Sequence, residues 1–309
     1  MMNEHSTNER LLPSWRDGAT RSALLDFLEA TDDIAPENRL AVYDNDGTLW
    51  CEKPRYTQLD FFVWQLQQSV EQRPVLRDVP EFAAVLSGDM ATVTEFGLPR
   101  VAGALLGLFE GIEPEAFESC VRAFFAETRH PDHGLRYDQM VYQPMLELMS
   151  ELERRGFTNC IVSGGGTEFV RAISQRVYGV PQERVVGTLV SYAFERRDGR
   201  AVLLRTTDAQ GGVNEGAAKI DNIQIALGRR PTLAAGNSPG DAEMLEYTST
   251  GDGPRLAILV NHDDADREYA YESEAGSFVA AERVTDSADR LGWTQISMRD
   301  DWNRIFPTR

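Results

Sequence analysis

The chain has 309 residues, is 42% hydrophobic and carries a formal charge of −18, which suits one large globular domain or two smaller ones. No apolar run approaches the roughly 20 residues that a membrane-spanning helix needs, and the opening stretch MMNEHSTNERLLPSW is polar, without the apolar core of a secretory signal. An acidic surface repels nucleic acid and anionic membranes, so the sequence points to a soluble, cytoplasmic protein in which any anionic ligand must be met by a local cluster of cations, dipoles or metal.

In chain order, residues 18–31 (GATRSALLDFLEAT) have the periodicity of an amphipathic helix, and residues 39–43 (RLAVY) read as a short buried strand. From about 57 to 130 the pattern is helical, with few β-branched runs. It predicts an all-helical insertion of roughly 80–90 residues, with 55–135 as the insert and 1–54 plus 136–309 as an α/β core. YQPMLELMSELERRGF is then a helix with Pro144 in its first turn. TNCIVSGGGTEFVRAISQRVYG reads as strand, Gly turn and helix, and RVVGTLVSYAFERRDGRAVLLRT as a β-hairpin around Asp198-Gly199. GAAKIDNIQIALG is a helix, PTLAAGNSPGDAEMLEYT a strand, turn and helix, and RLAILVNHDD a further strand. Strands alternating with helices predict a doubly wound parallel sheet whose ligand site lies at the carboxyl ends of the strands.

Chemistry-bearing residues gather at those ends. Asp44 and Asp46 sit two apart as the first strand stops. Carboxylates this close repel and separate each other's pKa values, so one can act as an acid while the other is ionised, and a hard cation such as Mg²⁺ relieves the repulsion. A calcium loop of the EF-hand type is excluded, because its Gly and Glu positions hold Leu49 and Arg55. In IVSGGGTEF, Ser163 precedes three glycines leading into a helix, an arrangement that suits phosphate binding. It lacks the Lys-Ser/Thr ending of a Walker A loop, and Phe169 stands where a dinucleotide fingerprint has its last Gly. Lys219 lies early in a helix. It and Lys53 are the only lysines among 31 basic residues, so each marks a place where a compact ammonium replaces the usual Arg. In AAGNSPGDAEML, Asn237 and Asp241 bracket a tight turn, one offering an amide oxygen and the other a carboxylate.

In these residues the sequence resembles the haloacid dehalogenase superfamily. Asp44-Asn45-Asp46-Gly47-Thr48 matches its DxDGT first motif, Ser163 its second, Lys219 its third, and Gly236-Asn237-Ser238-Pro239-Gly240-Asp241 its fourth, usually written GDxxxD. The order spans residues 40–245, and the helical insert resembles a C1 cap. The SGG form, the following hairpin and the Gly-Asn-Ser turn are closest to the phosphoserine-phosphatase-like branch. The resemblance implies a Rossmann-like core and hydrolysis of a small phosphorylated metabolite. Asp44 would be the nucleophile that becomes an aspartyl-phosphate, and Asp46 the acid and base. Mg²⁺ would be held by Asp44, the Asp46 carbonyl and Asn237. Ser163, Lys219 and backbone amides near Gly164 would bind the phosphoryl group. Thr48 would support the loop, and Asp241 would hold Lys219 or a metal-bound water. Asn237 replaces the usual first Asp of motif four. Glu52 and Lys53 lie near the position where phosphoserine phosphatases hold the substrate amine, and Lys53 is a candidate for a second anionic group on the substrate. Competing expectations are phosphotransfer as in a mutase, 2-haloacid dehalogenation, which needs neither Asp46 nor a metal, and a non-catalytic phosphate-binding protein on the same fold.

Other features have blander expectations. Cys51, Cys120 and Cys160 form no motif and predict free thiols rather than disulfides or a zinc site. His130-Pro-Asp-His133 reads as a polar loop rather than a metal pair. His262-Asp263-Asp264-Ala265-Asp266 after the last predicted strand reads as a helix cap, with a place near the crevice as the alternative. Trp50, Tyr56, Phe61, Phe62 and Trp64 read as helical packing rather than an aromatic cage.

Overall fold

Leu40–Tyr43 are completely buried and form β1, the middle strand of a seven-stranded sheet. The computed structural model describes residues 10–308, so the first nine residues of the polar opening stretch lie outside it. Helix α1 (Ala19–Ala30) precedes β1. Between β1 and β2 (Thr158–Gly166) the elements are all helical: α2 (Thr57–Gln72), α3 (Pro80–Ser87), α4 (Met90–Phe96), α5 (Leu98–Gly107), α6 (Pro114–Glu127) and α7 (Gln143–Arg154). Helix α8 (Thr167–Tyr178) follows β2, and β3 (Val185–Arg197) with β4 (Arg200–Gln210) forms the hairpin. Then come α9 (Ala217–Leu227), β5 (Leu233–Gly236), α10 (Ala242–Ser249) and β6 (Leu256–Asn261). A long strap, residues 262–283, leads to α11 (Val284–Leu291), β7 (Thr294–Ser297) and α12 (Met298–Asp301), three elements the sequence pattern did not announce.

The sheet order is β4-β3-β2-β1-β5-β6-β7, parallel throughout except at the hairpin. β1 lies between β2 and β5, with Tyr43 level with Ile161 on one side and Ala235 on the other. The residues that follow these three strands therefore emerge together where the strand order reverses, which is where open α/β sheets bind their ligands. Alternate residues feed two cores. Ala41, Tyr43, Ile161 and Ala235 face one layer, and Leu40, Val42, Cys160, Val162 and Ala234 face the other, packed with Ile223, Met244 and Ala288. One local expectation is corrected. The glycines after Ser163 do not turn; β2 stays extended to Gly166, which pairs with Thr188 beyond a register shift, and the helix starts only at Thr167.

The insert is built on an aromatic stack. Phe61 of α2 is fully buried and packs on Phe109 (5.3 Å), Phe124 (5.7 Å) and Phe169 of α8 (5.4 Å between centroids). One apolar cluster thus runs from the insert into the α/β core without a break. Strand β4 adds polar ties: Arg205 exchanges backbone hydrogen bonds with Gly111 (2.8 Å) and Ile112 (2.9 Å), while its guanidinium pairs with Glu168 (2.5 Å) and lies 4.2 Å from the Phe117 ring centroid. No helix among the described residues is long and apolar enough to cross a membrane.

Candidate active site

Asp44 is the first residue beyond β1, and its N–H still extends the ladder to the Ala235 carbonyl (2.9 Å). The chain then winds tightly, with the Asn45 carbonyl accepting from the N–H groups of Thr48, Leu49 and Trp50 (2.8–3.3 Å). Gly47 has φ +74°, and a Cβ there would lie 2.0 Å from Asn237 Nδ2. Backbone sign and packing both require glycine in this loop. Gly236 answers a similar demand, since a Cβ there would lie 2.4 Å from that of Asp241.

Lys219 reaches the loop from the third position of α9. It is only 1% exposed, and its three N–H donors are all engaged: Asp44 Oδ1 (2.6 Å), Asp241 Oδ1 (2.6 Å) and the Val162 carbonyl (2.9 Å). Burial works against the ammonium, but the two carboxylates outweigh it and hold its pKa above the ordinary lysine value. Asp241 also accepts from the N–H groups of Asn237 and Ser238 (3.0 Å each) through Oδ2. Both of its oxygens are therefore committed within the protein, one to Lys219 and one to clamping the loop.

Burial, and next the negative charge of Asp241, push the Asp44 carboxyl well above its usual range despite Lys219. Asp46 is half-buried and its Oδ1 accepts from Trp50 Nε1 (2.8 Å). Burial raises its pKa to about 6, opposed by Trp50 and reinforced by Glu52. One ammonium thus faces three carboxylates, Asp44, Asp46 and Asp241. This surplus of two negative charges in a partly dehydrated place suits a divalent cation. The donors to hand are oxygens, as Mg²⁺ requires: the Asp44 carboxylate, the Asp46 carbonyl and the Asn237 amide, whose Oδ1 accepts from Thr48 Oγ1 (3.2 Å). Among the described residues no three His, Cys, Asp or Glu side chains form a metal cluster. Any cation here would rest on this mixed carboxylate–amide set.

Ser163 is fully buried. Its Oγ accepts from Gly165 N (2.9 Å) and its carbonyl from Asn214 Nδ2 (3.0 Å). The insert contributes Gln58, whose Oε1 accepts from Gly166 N (2.8 Å). Gln58, Ser163 and Asp46 converge around Gly165, where a Cβ would lie 3.1, 3.2 and 3.7 Å from their oxygens. Tyr56, just before α2, is exposed. Partial burial and the charges of Glu52, Asp46, Glu215 and Asp44 push its hydroxyl above the ordinary tyrosine range. Gly164 backs onto Glu215, whose Oε1 would lie 3.2 Å from a Cβ there.

Glu52 is 5% exposed, and burial raises its pKa against the pull of His262 and Lys53. Lys53 Nζ lies 3.8 Å from Glu52 Oε1 and 4.3 Å from the Tyr271 ring centroid. Glu52 and Lys53 therefore sit together beside the loop, paired with each other. His130 Nε2 donates to the Lys53 carbonyl (2.6 Å) and its Nδ1 faces the N–H groups of Asp132 and His133, so this histidine buttresses a polar loop. Trp50, Phe61 and Phe62 are packed in the core and form no cage. The three cysteines are free.

Of the two expectations for His262, the favoured one fails and the alternative holds: it caps no helix and lies beside the Asp44–Trp50 loop. Its Nε2 donates to the Gly47 carbonyl (2.8 Å), inside the Asp44–Trp50 loop, and its Nδ1 faces Glu268 Oε2 (3.2 Å). Asp263 supports the start of α12, where Ser297 is the N-cap: its Oδ1 accepts from Arg299 N (3.0 Å) and its Oδ2 from Ser297 Oγ (2.5 Å). Tyr271 stacks on His262 (4.4 Å between centroids, 21°). Glu215 and Ser273 also bear on the site, and neither belongs to a periodic or glycine-marked pattern that could have singled it out.

A strand order that reverses beside β1, and an Asp–x–Asp loop served by a lysine from α9, define a hydrolase of the haloacid dehalogenase class. A family model described as haloacid dehalogenase-like hydrolase matches residues 41–246, two thirds of the chain, and the protein belongs to that family. No curated protein sequence matches the chain. Among solved structures, it is similar to a Bordetella pertussis Tohama I protein of unknown function (18% identity, TM-score 0.48), covering 84% of this chain and 98% of that one. It is also similar to a phosphoserine phosphohydrolase-like protein from Francisella tularensis (16%, TM-score 0.39; 82% and 99%) and to a family hydrolase from Salmonella enterica serovar Typhi (16%, TM-score 0.41; 77% and 67%).

Proposed function

We propose that the protein is a Mg²⁺-dependent phosphatase of small phosphomonoesters, with residues 55–135 as its cap. The observation that carries this reading is the division of labour between the two acids. Asp44 spends one oxygen on Lys219 and keeps the other for attack, while Asp46, with a pKa of about 6, holds a transferable proton near neutral pH. Bound Mg²⁺, held by Asp44, the Asp46 carbonyl and Asn237, would supply the charge that lets a phosphate dianion approach these carboxylates.

In this mechanism the free oxygen of Asp44 attacks phosphorus, and the bond to the ester oxygen breaks as Asp46 donates its proton to the departing alkoxide. The Ser163 hydroxyl would donate to an equatorial phosphoryl oxygen, where charge accumulates, and Lys219, whose donors stay with Asp44, Asp241 and Val162, would add positive charge nearby. Asp46, now a carboxylate, takes a proton from water, and that water attacks the aspartyl-phosphate. Inorganic phosphate leaves and Asp44 is restored. Asp241 acts by fixing Lys219, and Thr48 by fixing Asn237. Glu52, Lys53, Tyr56 and Gln58 border the place where the organic part of the ester would lie. A screen of phosphate esters in Mg²⁺ and in EDTA tests the reading. The wild type is expected to turn over several esters only with Mg²⁺, and Asp44→Asn to lose at least about 10³-fold in kcat. Turnover in EDTA, or a fully active Asp44→Asn, contradicts it.

A further inference from the structure

A carboxylate offers a cation oxygen at either end, but an amide offers oxygen at one end only. When the oxygen of Asn237 is turned to a cation, its nitrogen must face the other way, and the hydrogens there need an acceptor. Asn237 is 2% exposed, so an unpaired N–H₂ group would be costly. The acceptor present is Ser273 Oγ, 3.1 Å from Asn237 Nδ2. At the oxygen end the Thr48 hydroxyl donates to Oδ1 (3.2 Å), so two hydroxyls, one at each end, hold the amide in this orientation, and Ser273 is the one that receives the nitrogen. The nitrogen also lies against Gly47, where a Cβ would be 2.0 Å away, so the amide has little room to swing.

Ser273 sits on the strap, beyond the segment that matches the family model. The strap is fastened on both sides of it. Tyr271 donates its N–H to the His262 carbonyl (3.0 Å) and stacks on the His262 ring. Glu215 accepts from Gly276 N (3.1 Å), Ser277 N (2.8 Å) and the Ser277 hydroxyl. The same Glu215 side chain packs against Gly164 and Gly240, within 3.2 and 3.4 Å of where a Cβ would stand. It thereby keys the strap to the end of β2 and to the loop after β5.

We propose that Ser273 is a positioning residue: it holds the nitrogen of Asn237 so that the amide oxygen faces the cation, which lets this chain use asparagine where the motif usually has aspartate. The proposal rests on the Mg²⁺ reading given above. Outer partners that orient a metal ligand typically contribute 10- to 100-fold in metal affinity.

The test is calorimetric titration of the metal-free full chain with MgCl₂. Ser273→Ala is expected to bind Mg²⁺ about 10-fold or more weakly, and Ser273→Thr, which keeps the hydroxyl, to stay within about threefold of the wild type. Asn237→Asp has no amide hydrogens to place. In that background, adding Ser273→Ala is expected to change affinity by less than about twofold. Should Ser273→Ala fail to fold, Ser273→Gly carries the same expectation. Unchanged affinity in Ser273→Ala, or an equal loss in the Asn237→Asp background, overturns the role of Ser273 while leaving the Mg²⁺ reading intact. No Mg²⁺ binding by the wild type overturns both.

Discussion

The helical insert and the strap both bear on the Asp44–Trp50 loop, but by different physics. The insert meets it through apolar area, with Phe125 stacked on Trp50 at 5.8 Å and the Phe61 cluster behind. The strap meets it through single directed contacts: His262 on the Gly47 carbonyl and Ser273 on Asn237. Removing area weakens the whole fold, whereas removing one directed contact displaces one loop. The insert should therefore report mainly in stability and the strap mainly in catalysis.

The largest expected effect lies in the insert. Phe61→Ala should destabilise the protein by about 3–5 kcal/mol in urea unfolding, because it opens a cavity in the apolar cluster that joins the insert to the α/β core. A loss below about 1 kcal/mol would show that the insert is not joined to the core as described. Next comes His262. Its replacement by leucine removes the donor to Gly47 and should lower kcat by up to about 10²-fold through a displaced loop. His262→Gln, which keeps an N–H donor, should retain more activity, and equal losses in the two variants would assign His262 to packing alone.

The smallest effect concerns pH. Folding raises the Asp46 pKa from 3.8 to about 6, so the folded chain holds this proton more tightly than the unfolded one. The stability this confers on the metal-free protein is present below about pH 4 and is lost as pH rises through about 6. A cation held by Asp44, the Asp46 carbonyl and Asn237 opposes protons on the neighbouring carboxyls electrostatically. The rise in Tm produced by Mg²⁺ should therefore grow between pH 5 and pH 7.5, and an equal rise at both would contradict the carboxylate site.

The same contrast governs how much could be read from the sequence. Asp44 and Asn237 were legible because each follows a short apolar strand, Ser163 because it ends an apolar run before three glycines, and Lys219 because it is one of two lysines in an arginine-rich chain. The insert was legible from its helical aromatic spacing. Gln58, Glu215 and Ser273 act through single polar contacts between segments far apart in the chain, and local periodicity carries no trace of them. His262 was visible, but local sequence left it between a helix cap and a place near the crevice; Asp263 after it does support a helix start, yet one far downstream at residues 298–301 whose own cap is Ser297. Strand β7, with only Ile296 fully buried, was too short and mixed to stand out.

The central claim is that Asp44 carries the phosphoryl group and Asp46 moves the protons. Acid-quenching Asp46→Asn during incubation with a turned-over phosphate ester and Mg²⁺, followed by peptide mass analysis, tests it most directly. The account predicts a phosphoryl group on the peptide that contains Asp44, absent when Asp44→Asn is added. Continued hydrolysis with that peptide unmodified, or a phosphoryl group on another residue, would contradict it.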